Sequence, residues 1–204
     1  MSNYLWILDA GHGGMINGKY QTKGKRSPVW PDGRQLFEGE LNRALVDRIA
    51  TMLDFVNVDY IKLVDTQEDV PLRTRSREIN KIYAGDRRAI VVSIHANAGG
   101  GTGWEVFTSP GQTKSDVIAK IFYEEHEKDF PNLRFRSDYS DQDPDKEAKF
   151  HMLTQTNCPA ILTENFFMDT LKPDCELLMD EFGRDRIAKA HYDSILRCEA
   201  VKPI

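Results

Sequence analysis

Leu8-Asp9-Ala10-Gly11-His12-Gly13-Gly14 follows an apolar run from Tyr4 to Leu8 that contains Trp6 and Ile7. The run has the length and residue types of a buried strand, and the glycines after it mark a sharp exit. His12 therefore stands at the carboxyl end of the first strand. Ala89-Ile90-Val91-Val92-Ser93-Ile94-His95 repeats the design: a β-branched strand delivers a histidine at its last position, just before Ala96-Asn97 and a glycine-rich loop. A third run, Pro159-Ala160-Ile161-Leu162-Thr163-Glu164, ends in a carboxylate. Strands alternating with helices pair in parallel, and their carboxyl ends open onto one edge of the sheet. The expected fold is α/β: one domain over residues 1–204, with a mixed, mostly parallel sheet flanked by helices on both faces. Two imidazoles and a carboxylate are expected to converge at its edge.

The composition suits that reading. A chain of 204 residues with 40% hydrophobic and 29% charged residues is long enough to bury a substantial core. No apolar run reaches bilayer length, so membrane insertion is not expected. The net charge of -5 gives no general attraction to nucleic acid. The chain enters its first strand without a basic segment, apolar core and small-residue cleavage site, so no export signal is expected in it. Cys158, Cys175 and Cys198 lack the paired spacing of a zinc ribbon or redox motif and are expected to be free, semi-buried thiols.

Between the strands, Met15 to Gln35 is a long glycine- and proline-rich loop of the kind that walls a binding site. Leu41, Ala44, Leu45, Ile49, Met52 and Leu53 recur at helical spacing, with Glu38 at that helix's entrance. A strand is expected within Asp59–Val64 and a helix from Pro71 to Gly85, whose Arg73, Arg75 and Arg77 read as a solvated or salt-bridged face. Trp104–Phe107 reads as a short strand and Lys114–Lys128 as a helix. The polar segment Asp129–Lys149 reads as an excursion or lid, Phe150–Leu153 as a strand, and Asp174–Phe182 and Asp185–Leu196 as closing helices separated by Gly183.

Catalytic zinc sites typically take three protein ligands from histidine and carboxylate and keep one position for water. His12, His95 and one glutamate would complete such a shell. A second glutamate would then carry the proton from that water to a leaving amine. His126 and His191 lie within amphipathic helices and read as surface or packing residues, while His151 is a candidate for the cleft. Gly13, Gly18 and Lys19 also match a phosphate-binding loop. Tyr20, however, stands where a serine or threonine hydroxyl is needed, and Gln21–Pro31 is not helix-like.

Several blocks in order resemble the zinc-dependent N-acetylmuramoyl-L-alanine amidases of bacterial cell separation and phage endolysins. They are Leu8–Gly14, Glu38 four residues ahead of Asn42, Leu72-Arg73-Thr74-Arg75, Ser93–Asn97 and Pro159–Phe167. The resemblance implies one zinc ion bound by His12, Glu38 and His95, with Glu164 as catalytic acid/base. It implies a peptidoglycan or muropeptide substrate and action on the cell wall or in the periplasm, reached by lysis or through a leader outside this sequence. Two departures stand out. Gly39 follows Glu38 where the family usually has lysine, and Met168-Asp169-Thr170 replaces a small residue and asparagine. A zinc carboxypeptidase usually spaces histidine and glutamate three apart, a pattern missing here, and a noncatalytic wall-binding module has no use for a glutamate aimed at a metal.

Overall fold

The computed structural model describes residues 2–204. Its elements run β1 (Leu5–Ala10), β2 (Met15–Ile16), β3 (Lys19–Tyr20), α1 (Glu38–Val56), β4 (Tyr60–Lys62), α2 (Leu72–Gly85), β5 (Ala89–Asn97) and β6 (Glu105–Thr108). They continue with α3 (Lys114–Asp129), β7 (Lys146–Glu147), α4 (His151–Thr154), β8 (Ala160–Phe167), α5 (Glu176–Met179) and α6 (Glu181–Val201). The main sheet has the order β4-β1-β5-β8-β6-β7. The first four of these strands are mutually parallel, β6 is antiparallel to β8, and β7 runs parallel to β6.

The central strands are apolar on both faces because helices cover both. Trp6, Leu8, Ile90, Val92, Ile94 and Ile161 pack into one core with Leu45 and Ile49 of α1, Ile118 and Phe122 of α3, and Ile187 and Ile195 of α6. Ile7, Val91, Ala160 and Leu162 face the other way, against Ile79 of α2 and Met152 and Leu153 of α4. The expected layering is therefore present, and the carboxyl ends of β1, β5 and β8 share one edge, although β5 runs on to Asn97 past His95 and β8 to Phe167 past Glu164, where the runs were expected to end.

Three local expectations are corrected, and one rejected alternative stays rejected. Phe150–Leu153 is not a strand: the chain turns into α4, whose Met152 and Leu153 are buried while Phe150 stays 41% exposed. The final helices divide at Asp180 and not at Gly183, because the Asp180 side chain accepts the Gly183 N–H at 2.8 Å and starts α6 there. The 129–149 segment is not a lid. Phe135 bridges to Trp104, and β7 extends the sheet beyond β6, so the segment lies along the sheet edge. Met15–Tyr20 folds into a two-stranded hairpin turned by Asn17 and Gly18, both at positive φ (49° and 73°), which leaves no helix for a phosphate loop to enter. All three cysteines are free and buried, as expected.

Candidate metal centre

His12 leaves β1 with a φ of 66°, a left-handed conformation that turns its imidazole back over the sheet edge. Arginines hold this turn. The His12 carbonyl accepts from Arg43 Nη1 at 3.0 Å and from Arg75 Nη2 at 3.1 Å. Arg75 is no solvated residue: it is 2% exposed and pairs with the equally buried Asp9 at 2.7 Å, while Ser93 donates to the second Asp9 oxygen at 2.7 Å. Arg73 and Arg77 do face solvent. Gly11 is required by close approach, since a Cβ there would lie 2.2 Å from the His95 ring.

Glu38 is the first residue of α1 and only 1% exposed. Its Oε1 lies 3.1 Å from His95 Nδ1 and 3.2 Å from His12 Nε2, and it accepts the Ala96 N–H at 3.2 Å. Ligating atoms of His12, Glu38 and His95 all fall within 4.8 Å of one another, and the two rings stand at 88° with centroids 4.9 Å apart. Glu40 goes elsewhere and accepts the Met15 N–H at 2.7 Å. Among the described residues, Glu38 Oε2 is buried without a hydrogen-bond partner, and His12 Nε2 meets Glu38 Oε1 at 3.2 Å without the alignment of a hydrogen bond. Buried polar atoms are rarely left so, and two imidazoles with one carboxylate suit a zinc ion. The residues present fit the metal.

The profile of the N-acetylmuramoyl-L-alanine amidase family matches residues 7–197. An N-acetylmuramoyl-L-alanine amidase of Bacillus licheniformis, CwlM, is 31% identical over 196 residues, covering 94% of this chain and 67% of that protein. The chain belongs to the N-acetylmuramoyl-L-alanine amidase family. The endolysin of Bacillus phage SPP1 is 28% identical over 198 residues, covering 96% of this chain and 65% of its own. This family member thus spans about two thirds of the length of those relatives. The fold agrees with a Clostridium difficile 630 amidase structure at a TM-score of 0.76, with 22% identity and 98% of each chain covered.

Within this amidase fold, Glu164 on β8 pairs in register with His95 on β5 and Glu105 on β6. Its Oε2 is buried without a partner. Burial raises the Glu164 carboxyl to about 7, the charges of Glu38 and Glu105 adding to the effect against the pull of His95 and Lys25. For Glu38 burial also acts upward, but the imidazoles of His12 and His95 outweigh it and hold the group well below the usual carboxylate range. His95 responds in kind: burial opposes its charged form, yet the Glu38 hydrogen bond and charge raise its pKa. Two carboxylates that both adjoin His95 are driven in opposite directions, the pattern of a ligand beside a proton carrier.

A cleft of about 220 Å³ opens on these groups, lined also by Lys25 of the long loop, by Leu72, and by Phe150 and His151. The loop does wall the site. His151 lies in the cleft and shares a 3.1 Å hydrogen bond between its Nε2 and Ser76. His126 and His191 are packing residues, each fully buried. Arg43 and Glu105 carry no motif of their own, and Asp9, though inside the Leu8–Gly14 block, is given no role by it. Glu105 accepts from Arg136 at 2.8 Å and from Lys146 at 2.5 Å, which offset part of the charge it presents to Glu164. Gly39 also has a physical reason: a Cβ there would meet the Gly13 carbonyl oxygen at 1.8 Å.

Proposed function

We propose that this peptidoglycan amidase cuts the bond joining the lactyl group of N-acetylmuramic acid to L-alanine with one zinc ion held by His12, Glu38 and His95. Glu164 acts as general base and then general acid, and residues 1–204 form a single catalytic domain. The metal would supply a Lewis acid for the scissile carbonyl and a water acidic enough to react near neutrality. Glu38, held ionised, offsets the ion's charge, and the Arg43 and Arg75 contacts fix His12 before substrate arrives. Glu164, whose burial favours its protonated form, takes a proton from the attacking water and returns it to the departing alanine nitrogen. Phe150 and Leu72 give the cleft part of an apolar lining.

The observation that carries this reading is the placement of Glu164 in register with His95, beside the three-residue cluster and outside it. Action on the cell wall follows from the bond. No helix among the described residues is long and apolar enough to cross a membrane.

Mass spectrometry of peptidoglycan digested with and without a chelator tests the bond and the metal together. The expected products are free lactyl carboxylates and free L-alanine amino termini, formed only without chelator. New termini within the stem peptide would indicate a carboxypeptidase, and binding without new termini a noncatalytic module.

A further inference from the structure

The pairing of β5 with β8 slips at the site. His95 pairs with Glu164 and Asn97 with Phe167, so three steps on β8 answer two on β5. The additional residue is a bulge in a parallel pair, where bulges are rare. Phe166 within it takes a φ of 62°, costly for a bulky side chain. Asn165 spans the slip: its Nδ2 donates to the His95 carbonyl at 3.0 Å.

Asn165 belongs to a longer chain of hydrogen bonds on the helical side of β8. Trp104 Nε1 donates to Asn165 Oδ1 at 3.0 Å, and Asn165 Nδ2 donates to Thr163 Oγ1 at 3.2 Å. Thr163 Oγ1 lies 3.0 Å from His191 Nε2, His191 Nδ1 lies 2.9 Å from His126 Nε2, and His126 Nδ1 lies 2.7 Å from the Phe122 carbonyl. Trp104, Asn165, Thr163, His191 and His126 are all fully buried.

Every proton in this chain has one place to be. An indole only donates, so the Asn165 oxygen faces Trp104 and its nitrogen faces His95 and Thr163. The Thr163 proton then points to His191 Nε2. His191 carries its own proton on Nδ1, where the Ile187 carbonyl at 2.9 Å shares it. His126 is likewise protonated on Nδ1 and ends the chain on a carbonyl. Both imidazoles are neutral, all bonds run in one direction, and bonds aligned this way reinforce one another.

We propose that Asn165, Thr163, His191 and His126 are positioning residues that fix the β8 bulge and so set Glu164 against His95. This rests on the reading of Glu164 as the proton carrier. None of the four touches the cleft. They act through the strand, and their directional hydrogen bonds are all satisfied only when β8 carries the bulge where it stands. Burial pushes both imidazoles toward the neutral form the chain requires, His191 to about 4.

Thr163→Val deletes the central hydroxyl at nearly constant volume, and Thr163→Ser restores it. On a muropeptide substrate the zinc-loaded Val variant is expected to lose about tenfold or more in kcat, with KM within about twofold and bound zinc unchanged, and the Ser variant to recover most of it. In the metal-free chain, nitrogen NMR is expected to place the proton on Nδ1 of both His126 and His191. The Asn165 side-chain amide is expected to exchange about tenfold faster in the Val variant. An unchanged kcat in Thr163→Val, a proton on Nε2 of either histidine, or a loss that Thr163→Ser does not repair would overturn the proposal. Glu164→Gln separates the two readings. Full activity there ends the proton-carrier reading and the positioning with it, whereas an inactive Glu164→Gln beside a silent Thr163→Val ends the positioning alone.

Discussion

The molecule holds two close histidine pairs with nearly the same internal geometry. His12 and His95 stand at 88° with centroids 4.9 Å apart, and His126 and His191 at 88° and 4.4 Å. The first pair has a carboxylate between its rings, a nitrogen without an aligned hydrogen bond and a cleft beside it. The second has every nitrogen bonded and no opening. Burial is the main influence that depresses the pKa of His126 and His191, whereas for His95 the Glu38 hydrogen bond, with the charges of Glu38, Glu164 and Asp9, reverses it. Neighbours that supply charge or leave lone pairs free, more than ring proximity, separate a metal-competent pair from a structural one.

The largest expected effect follows from taking one histidine from each pair. His95→Ala should lose bound zinc and at least about a hundredfold in activity, whereas His191→Gln should keep full zinc stoichiometry by elemental analysis. If both variants lost zinc, the distinction between the pairs would collapse. Glu164→Gln should keep the metal and lower kcat by about 10²- to 10⁴-fold, which steady-state turnover of muropeptides measures.

Chelation should act on the first pair alone. Zinc at about a thousand times its dissociation constant stabilises a fold by about 4 kcal/mol, so a chelator should lower the melting temperature while leaving the His126 and His191 nitrogen signals in place. The smallest effect is a pH dependence from the second pair. Its folded pKa values lie below the unfolded value of about 6.5, so the unfolded chain binds more protons between the two. Stability should be full above pH 6.5 and fall as pH drops toward about 4 for His191, by on the order of 3 kcal/mol from that group. His191→Gln, which bonds without titrating, should flatten that part of a denaturation-versus-pH series.

Much of this was readable from residue order. Apolar runs ending in His12, His95 and Glu164 forecast both the strands and their shared edge, since a parallel sheet collects its carboxyl ends on one side. Of the solvated or salt-bridged face expected for the three arginines, Arg75 takes the salt bridge, and it is buried because it lies four residues before the buried Ile79, on the inner stripe of α2. His126 and His191 each follow a buried apolar residue, Phe122 and Ile187, by four, which is why they pack inside. Gly183 looked like a helix stop, but the capping carboxylate of Asp180 decides where the last helix begins. The bulge at Asn165 and Phe166 had no local signal, because it is defined by what two distant strands do together.

Gly39 bears on how this chain could be altered. Its amide donates to the Tyr20 hydroxyl at 2.9 Å, and its bare α-carbon lets the Gly13 carbonyl rest against the start of α1. The loop after β1 and the helix that presents Glu38 are therefore fitted together as a dovetail joint. A lysine there would prise that joint open, and redesign should leave this position a glycine.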